Sequence, residues 1–99
     1  MFNNVKVSEL EQAMRVSEVN IIDCREEDEY EEGHIPGSIL VPTSQFMHYM
    51  HQIDKSKHYY IICLTGSRSQ MVARYLDNQG YNVTNVVGGM IMYRGEIEV

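Results

Sequence analysis

The 99-residue sequence has no tryptophan, only two cysteines and only two prolines. Two cysteines are too few for a disulfide scaffold, and no four side chains show the spacing of a zinc site. No apolar run approaches the roughly 20 residues of a membrane-spanning helix, and the first residues lack a signal-peptide pattern. We therefore expect a protein of the reducing cytoplasm, without a metal ion or a cofactor.

Positive charge is also scarce, since the formal net charge is -6. Nucleic acids and anionic membranes attract basic surfaces, so we expect neither as a partner. Hydrophobic residues make up 43% of the chain and charged residues 22%, which is typical of a globular protein. This length suits one modest hydrophobic core, so residues 1–99 are predicted to form a single domain.

The most informative stretch is residues 59–74. A short aromatic and β-branched run, typical of a buried strand, ends at Cys63. Four loop residues follow, among them Gly66, which allows a turn that other residues resist. An amphipathic helical pattern then begins near Arg68 and ends at Gly80. The pattern places a cysteine between the end of a strand and the start of a helix.

Such a position favours a reactive thiol at Cys63. The free N–H groups of the loop and of the helix start surround the sulfur with positive potential, and Arg68 adds to it. Positive potential favours the thiolate, which is the nucleophilic form of cysteine. The alternative is a structural core cysteine, since unpaired cysteines are often buried. Gly66, Ser67 and Arg68 do not suit a dry core, so we favour the reactive cysteine.

Strand and helix patterns alternate along the rest of the chain, which predicts an α/β domain with a largely parallel sheet. A capping box of Ser8 and Glu11 is expected to begin the first helix. The acidic run 26–32 is predicted to form a short helix, most of whose carboxylates face solvent and have no chemical role. Further strands are predicted at residues 4–6, 19–23, 39–41 and 81–87, and a further helix beginning at Thr43 or Ser44 and carrying Phe46, Met47, Met50 and Ile53.

Three polar or glycine-rich segments follow predicted strands directly: Cys63 with its loop, Asp23-Cys24-Arg25, and Gly88-Gly89. In open parallel sheets, ligand sites lie beyond the carboxyl ends of the strands. We therefore expect these segments to meet at one edge of the sheet and to form a functional site.

The motifs at these positions resemble those of a single-domain rhodanese, and the resemblance covers nearly the whole chain. The matching segments are Asp23-Cys24-Arg25, similar to the Asp-x-Arg after the family's second strand, Glu29-Tyr-Glu-Glu-Gly-His-Ile-Pro-Gly-Ser-Ile39, the Cys-x-x-Gly-x-Arg-Ser loop from Cys63 to Ser69, and Val87-Gly88-Gly89. Two positions depart from the family pattern. Tyr93 stands where tryptophan is frequent, and Cys24 stands where an aliphatic residue is usual.

The resemblance implies a small, mostly parallel central sheet with helices on both faces, and it implies a thiosulfate sulfurtransferase type of enzyme. Cys63 would attack a small sulfur-donor anion such as thiosulfate, or another persulfide, and hold the sulfur as a persulfide. A thiol or cyanide-like acceptor would then take that sulfur, with a sulfur-relay protein as a further candidate partner. The oligomeric state stays open.

The resemblance also assigns roles around Cys63. The loop would bind substrate through Leu64, Thr65, Gly66, Ser67, Arg68 and Ser69, with backbone N–H groups stabilising the anion and Arg68 holding the leaving sulfite. Asp23 and Arg25 would brace the loop rather than touch substrate.

Two alternatives remain open. The first is a redox sensor or protein-binding module whose Cys63 does not turn over. The second is a small cysteine phosphatase or arsenate reductase, which the family resemblance disfavours because only four residues separate Cys63 from Arg68. Cys24 is either a resolving thiol for Cys63 or, as we favour, a small apolar residue at a strand end. His34 is expected to fix its turn by hydrogen bonding.

Overall fold

The computed structural model describes residues 1–99 as five strands and four α-helices with short 3₁₀ segments. The strands are β1 (Asn3–Lys6), β2 (Ile21–Asp23), β3 (Ile39–Leu40), β4 (His58–Ile62) and β5 (Asn82–Val87). The helices are α1 (Val7–Val16), α2 (Glu27–Glu32), α3 (Phe46–Tyr49) and α4 (Ser67–Asn78). The 3₁₀ segments are Thr43–Gln45, Met50–Gln52 and Met90–Met92. No helix has both the length and the apolar character required to cross a membrane.

All strand pairs in the single sheet are parallel, and the strand order is β1-β5-β4-β2-β3. β4 therefore lies at the centre, between β5 and β2. The register pairs Asp23 of β2 with Ile62 of β4, so the segments after these strands begin at the same level. The predicted α/β class and parallel sheet are confirmed.

Helices cover both faces of the sheet because side chains alternate along each strand. Ile22 and Ile61 point to one face, where they pack in a cluster with Leu76 of α4. Their neighbours Ile21 and Ile62 point to the other face, in a cluster with Val7 and Leu10 of α1. The sheet is thus buried on both sides, as parallel sheets require.

The predicted capping box at the start of α1 was wrong. The helix begins at Val7, directly after β1, so Ser8 lies within its first turn. The side chain of Glu9 accepts a hydrogen bond of 2.9 Å from the backbone N–H of Lys6 and caps the helix instead. Glu11 accepts a hydrogen bond of 2.7 Å from the backbone N–H of Arg94 and so fastens the C-terminal segment.

The single helix expected after residue 43 is also divided in the structure. A 3₁₀ turn precedes α3 and another follows it. The first break lies at Gln45, whose φ of -129° and ψ of 33° do not fit an α-helix. Phe46 and Met50 still pack against the sheet, and Ile53 is buried just after the last turn.

Candidate active site

Cys63 is the first residue after β4, at the carboxyl edge of the sheet. Its Sγ accepts two backbone hydrogen bonds, from the N–H of Gly66 at 3.1 Å and from the N–H of Ser69 at 3.2 Å. Both donors belong to the loop and the first turn of α4, whose N–H groups have no partner within the helix. The sulfur therefore lies in a cradle of the kind that holds an anion.

The loop closes over the sulfur because Gly66 adopts φ 107°, a conformation that strongly favours glycine. A Cβ atom at this position would also lie 3.1 Å from the backbone nitrogen of Gly88. The hydroxyl of Ser69 donates a hydrogen bond of 3.1 Å to the Gly66 carbonyl and fixes the turn. Glycine at position 66 is thus required by both the backbone angle and the close approach of the next loop.

Hydrogen bonds lower the pKa of Cys63 well below the ordinary thiol range. The largest cause is the neighbouring thiol of Cys24. The backbone N–H groups of Ser69 and Gly66 act in the same direction, while burial opposes them. Stabilised in this way, the Cys63 sulfur is a thiolate at neutral pH.

Cys24 follows β2 and lies beside Cys63 at the same edge. Its thiol keeps its proton, because the hydrogen bond to Cys63, burial and the neighbouring negative charge all raise its pKa well above the usual range. The pair therefore shares one proton, held on Cys24. The preferred sequence-based interpretation of Cys24, as only a small residue at a strand end, omitted this contact.

Arg68 does not extend freely towards solvent. Its guanidinium forms a two-pronged ion pair with Glu29 of α2, with N–O distances of 2.8 and 3.1 Å. This pairing holds the pKa of Glu29 at about 2 and raises that of Arg68 above its usual range, to which the charge at Cys63 also contributes. Arg68 is thus held in place by Glu29, with its positive charge partly neutralised.

Glu29 is thus an exception in the acidic run 26–32, most of which was expected to face solvent without a chemical role. A helical run of carboxylates gives no signal of its own for one that reaches across to another segment. The sequence feature that could have singled out Glu29 was its position at the start of the Glu-Tyr-x-x-Gly-His motif.

Asp23 and Arg25 form a buried ion pair at the end of β2, with an Nη2–Oδ2 distance of 2.8 Å. Arg25 also donates a hydrogen bond of 2.7 Å to the Gly33 carbonyl. These contacts hold the end of α2, not the loop after Cys63. Since α2 carries Glu29, any support that the pair gives to Arg68 is indirect.

The turn at Gly88 and Gly89 completes the site from β5, as the expected convergence requires. The N–H of Met90 donates a hydrogen bond of 2.7 Å to the Cys63 carbonyl, and that of Ile91 donates one of 3.0 Å to the Leu64 carbonyl. Gly89 has φ 64°, and a Cβ atom there would lie 2.5 Å from the Cys63 carbonyl oxygen. The segment after β5 thus fixes the backbone of Cys63 through direct contact.

The cysteine itself is buried, whereas the loop above it is exposed. Cys63 has no solvent-accessible surface, and Ser69 is likewise buried. Leu64, Thr65 and Ser67 are exposed, so they form the outer surface of the loop. A surface hollow of about 400 Å³ borders the loop at residues 65–67 but does not reach Cys63.

His34 lies beside the site, in the turn after α2. The Nδ1 atom of His34 lies 2.8 Å from the Tyr30 carbonyl and its ring stacks on Tyr30 at a centroid distance of 3.7 Å, so His34 fixes its turn as expected. No group of three histidine, cysteine or acidic side chains is arranged to hold a metal ion.

The sequence matches the model of the rhodanese-like domain over residues 6–95. YtwF of Bacillus subtilis, provisionally named a sulfurtransferase, is 42% identical over 79 residues, which cover 80% of this chain and 77% of YtwF. YrkF of the same organism, provisionally named a sulfur carrier protein, is 41% identical over 81 residues, or 81% of this chain. The chain spans only 44% of YrkF.

GlpE of Shewanella oneidensis, named a thiosulfate sulfurtransferase, is 30% identical over 89 residues, which cover 89% of this chain and 88% of GlpE. The crystal structure of a rhodanese-like domain protein from Staphylococcus aureus has a TM-score of 0.91 at 32% identity, covering 99% of this chain and 98% of that one. Sequence, fold and the geometry around Cys63 agree, and the chain belongs to the rhodanese-like domain family of sulfurtransferases.

Proposed function

We propose that this protein moves sulfane sulfur from thiosulfate or a persulfide donor to a thiophilic acceptor, with Cys63 as the carrier. The observation that carries the proposal is the cradle at the Cys63 sulfur. Two backbone N–H groups donate to it and the Cys24 thiol lies beside it, so the nucleophile is formed before a donor arrives.

In the first half-reaction the Cys63 thiolate attacks the outer sulfur of thiosulfate. The new S–S bond forms as the bond to the sulfite sulfur breaks, and sulfite leaves with the bonding electron pair. The product is a Cys63 persulfide whose negative charge has moved to the outer sulfur. The N–H groups of the loop are preorganised donors for such an anion, which limits the reorganisation that the step requires.

In the second half-reaction the acceptor attacks that outer sulfur. Its bond to Cys63 breaks, the electron pair returns to the cysteine, and the thiolate is regenerated. Cyanide as acceptor gives thiocyanate, and a thiol acceptor gives a new persulfide. Because the thiolate is the leaving group in this step, the donors that lower the pKa of Cys63 favour both halves of the cycle.

Arg68 is the cationic side chain available to the donor anion. Guanidinium has five N–H donors, and two of its nitrogens contact Glu29. The remaining donor capacity is free to bind a sulfite oxygen while Glu29 keeps the side chain oriented. In this proposal Glu29 is a positioning residue and Arg68 contacts the leaving group.

The exposed surface around the site suits a protein acceptor as well as a small one. Leu64 is 38% exposed, and Ile91 and Met92, next to it across the loop, are 60% and 54% exposed. Apolar side chains at a loop contribute binding energy when a partner covers them. The relative that is named a sulfur carrier protein supports a relay partner for this chain.

A steady-state assay of thiosulfate with cyanide tests the proposal, with thiocyanate formation as the readout. We expect Cys63→Ser to abolish activity, since a hydroxyl forms no persulfide. Arg68→Ala should raise KM for thiosulfate about tenfold or more, because it removes a charge-assisted hydrogen bond of about 1.5–3 kcal/mol. Arg74→Ala is the matched control, since Arg74 lies on the same helix and is exposed. Equal activity of wild type and Cys63→Ser would contradict the proposal.

Alkylation of Cys63, measured beside turnover, distinguishes an enzyme from a sensor or binding module. Such a module would react with alkylating agents at Cys63 but would not turn over with thiosulfate or with a protein persulfide. Failure with both donors, while Cys63 remains a reactive thiolate, would favour the module.

A further inference from the structure

The double displacement leaves one reactive group of the site unused, the thiol of Cys24. The backbone N–H of Cys24 donates a hydrogen bond of 2.9 Å to the Ile62 carbonyl. In a parallel pair of strands, the N–H of a residue bonds to the carbonyl of the residue that precedes its cross-strand neighbour. The pairing of Asp23 with Ile62 one step earlier agrees. Cys24 is therefore the cross-strand neighbour of Cys63.

The two side chains also point to the same face of the sheet. Both cysteines pack in the cluster that contains Ile22 and Ile61, the residues two positions before them. Neighbouring strands lie about 4.7–4.9 Å apart, which falls within the Cα–Cα range of roughly 4.4–6.8 Å seen in disulfides. The fold thus places two thiols where a disulfide requires little movement of the backbone.

Cys24 has no route to any other reaction partner. Neither thiol has solvent-accessible surface, but both chain neighbours of Cys24 are buried, whereas Cys63 leads directly into the exposed loop. An external donor or thiol therefore reaches Cys63 first. The Cys24 carbonyl accepts hydrogen bonds from the Thr43 N–H at 3.2 Å and from the Thr43 hydroxyl at 2.7 Å, which fix its backbone. A buried thiol with one neighbouring sulfur can react only with what that sulfur carries.

We propose that Cys24 reduces the Cys63 persulfide within the chain and releases its outer sulfur as hydrosulfide. The Cys24 sulfur attacks the inner sulfur of the persulfide, which is the Sγ of Cys63. A Cys24–Cys63 bond forms, the bond to the outer sulfur breaks, and that sulfur leaves with the electron pair. Cys24 is oxidised, the outer sulfur is reduced, and the Cys24 proton leaves with it. The inference rests on the proposed persulfide.

Loading with sulfur is what makes Cys24 a nucleophile. In the empty site, ionisation of Cys24 would place a second negative charge beside the Cys63 thiolate. In the persulfide, that charge moves outward to the outer sulfur, and Sγ becomes an electrophile. The Cys24 proton then has an acceptor in the departing sulfur. The Cys24 thiol thus stabilises the Cys63 thiolate before sulfur is loaded, and it removes the outer sulfur from the Cys63 persulfide afterwards.

This step assigns the chain a second outcome besides transfer. The Cys24–Cys63 disulfide blocks further loading until a dithiol reductant, supplied from outside, restores both thiols. The chain would therefore act between a reaction that supplies sulfane sulfur and a dithiol-dependent reduction. The net result is conversion of sulfane sulfur to sulfide when no acceptor takes it first.

Cys24→Ser is the variant that tests the inference, because serine keeps a hydrogen-bond donor but is not a sulfur nucleophile. Both proteins are loaded with thiosulfate without oxygen, freed of donor and reductant, and followed by intact mass and sulfide release. Wild type should gain one sulfur and then lose it at least about tenfold faster than Cys24→Ser, since the attack is intramolecular. It should end two hydrogens lighter than the reduced chain, with one sulfide released per disulfide.

The outcomes separate the two proposals. If neither protein gains sulfur from thiosulfate or from a persulfide donor, and wild type releases no sulfide, the proposed function fails and this inference with it. If wild type keeps its sulfur as long as Cys24→Ser does, the transfer function stands and the inference is overturned.

A second measurement tests the attack on Sγ without any sulfur donor. The Cys63 thiolate attacks a symmetrical aromatic disulfide, added in less than one equivalent, which leaves half of the reagent on Cys63 as a mixed disulfide and releases one coloured aromatic thiol. Wild type should release a second aromatic thiol as Cys24 closes the disulfide, while Cys24→Ser should keep it bound. Retention by both proteins would overturn the inference.

Discussion

Replacement of Cys24 with alanine should raise the pKa of Cys63, because the Cys24 thiol is the largest cause of the lowered value. A hydrogen bond to a charged group contributes about 1.5–3 kcal/mol, and one pKa unit corresponds to about 1.36 kcal/mol. The expected rise is therefore about 1–2 units. The Gly66 and Ser69 donors remain in the variant, so the pKa of Cys63 should still lie below that of an ordinary thiol.

The assay is the rate of alkylation of Cys63 across pH, checked by the ultraviolet absorbance of the thiolate. Because only the thiolate reacts, the rate falls as the pH drops through the pKa. Wild type should keep its full rate well below pH 8.5, near which an ordinary thiol titrates. The curve of Cys24→Ala should move to higher pH by the amount above.

Cys24→Ser separates the hydrogen bond from mere packing, since its hydroxyl is a donor of smaller size. Its curve should stay close to that of wild type. The reasoning would be refuted if Cys24→Ala titrated like wild type, or if Cys24→Ser shifted as far as Cys24→Ala.

Two further predictions concern the residues that fix the site. Glu29→Gln should lower the free energy of unfolding by about 1 kcal/mol at neutral pH, a value reduced for partial exposure. Since the folded-state pKa of Glu29 is lowered from 4.5 to about 2 by Arg68, the stabilisation is present above pH 4.5 and is lost as the pH falls through 2. Urea titrations of both proteins should therefore converge at acid pH, and a gap unchanged with pH would count against the ion pair. Gly89→Ala should prevent sulfur loading and lower the melting temperature, because its Cβ would meet the Cys63 carbonyl. Gly37→Ala is the control, since it also has a positive φ of 83° but open space around the Cβ position, and it should load normally.

The sequence was sufficient to predict the sheet and the reactive edge because each depends on local patterns. Apolar runs of strand length alternate with helical patterns, which predicts a parallel sheet, and parallel strands bring their carboxyl ends together. The segments after β2, β4 and β5 were therefore expected to meet, and they do so around Cys63.

A local sequence pattern does not predict which side chains pair across distant segments of the chain. Glu29 and Arg68 are 39 residues apart, and no periodicity links the two positions. The start of α1 was misplaced for a different reason. Only Ser8, with Glu11 three positions later, matches the capping-box pattern, but β1 runs directly into α1 and the helix therefore begins at Val7.

Both the sequence motif and the strand register were needed to place the Cys24 thiol beside Cys63. The sequence marked it as a departure from the usual Asp-x-Arg motif, but a motif does not give a register. The register of β2 against β4 places its thiol beside Cys63, and only then do a lowered pKa at Cys63 and a route to sulfide release follow.

The central claim is that Cys63 carries sulfur, and the intact mass of the reduced protein after incubation with thiosulfate tests it most directly. Cys24→Ser is the appropriate protein for this measurement, because it should hold the persulfide. We expect it to gain the mass of one sulfur atom, to lose it on addition of cyanide, and to gain none when Cys63 is also serine. No gain from thiosulfate or from a protein persulfide, or an equal gain without Cys63, would contradict the account.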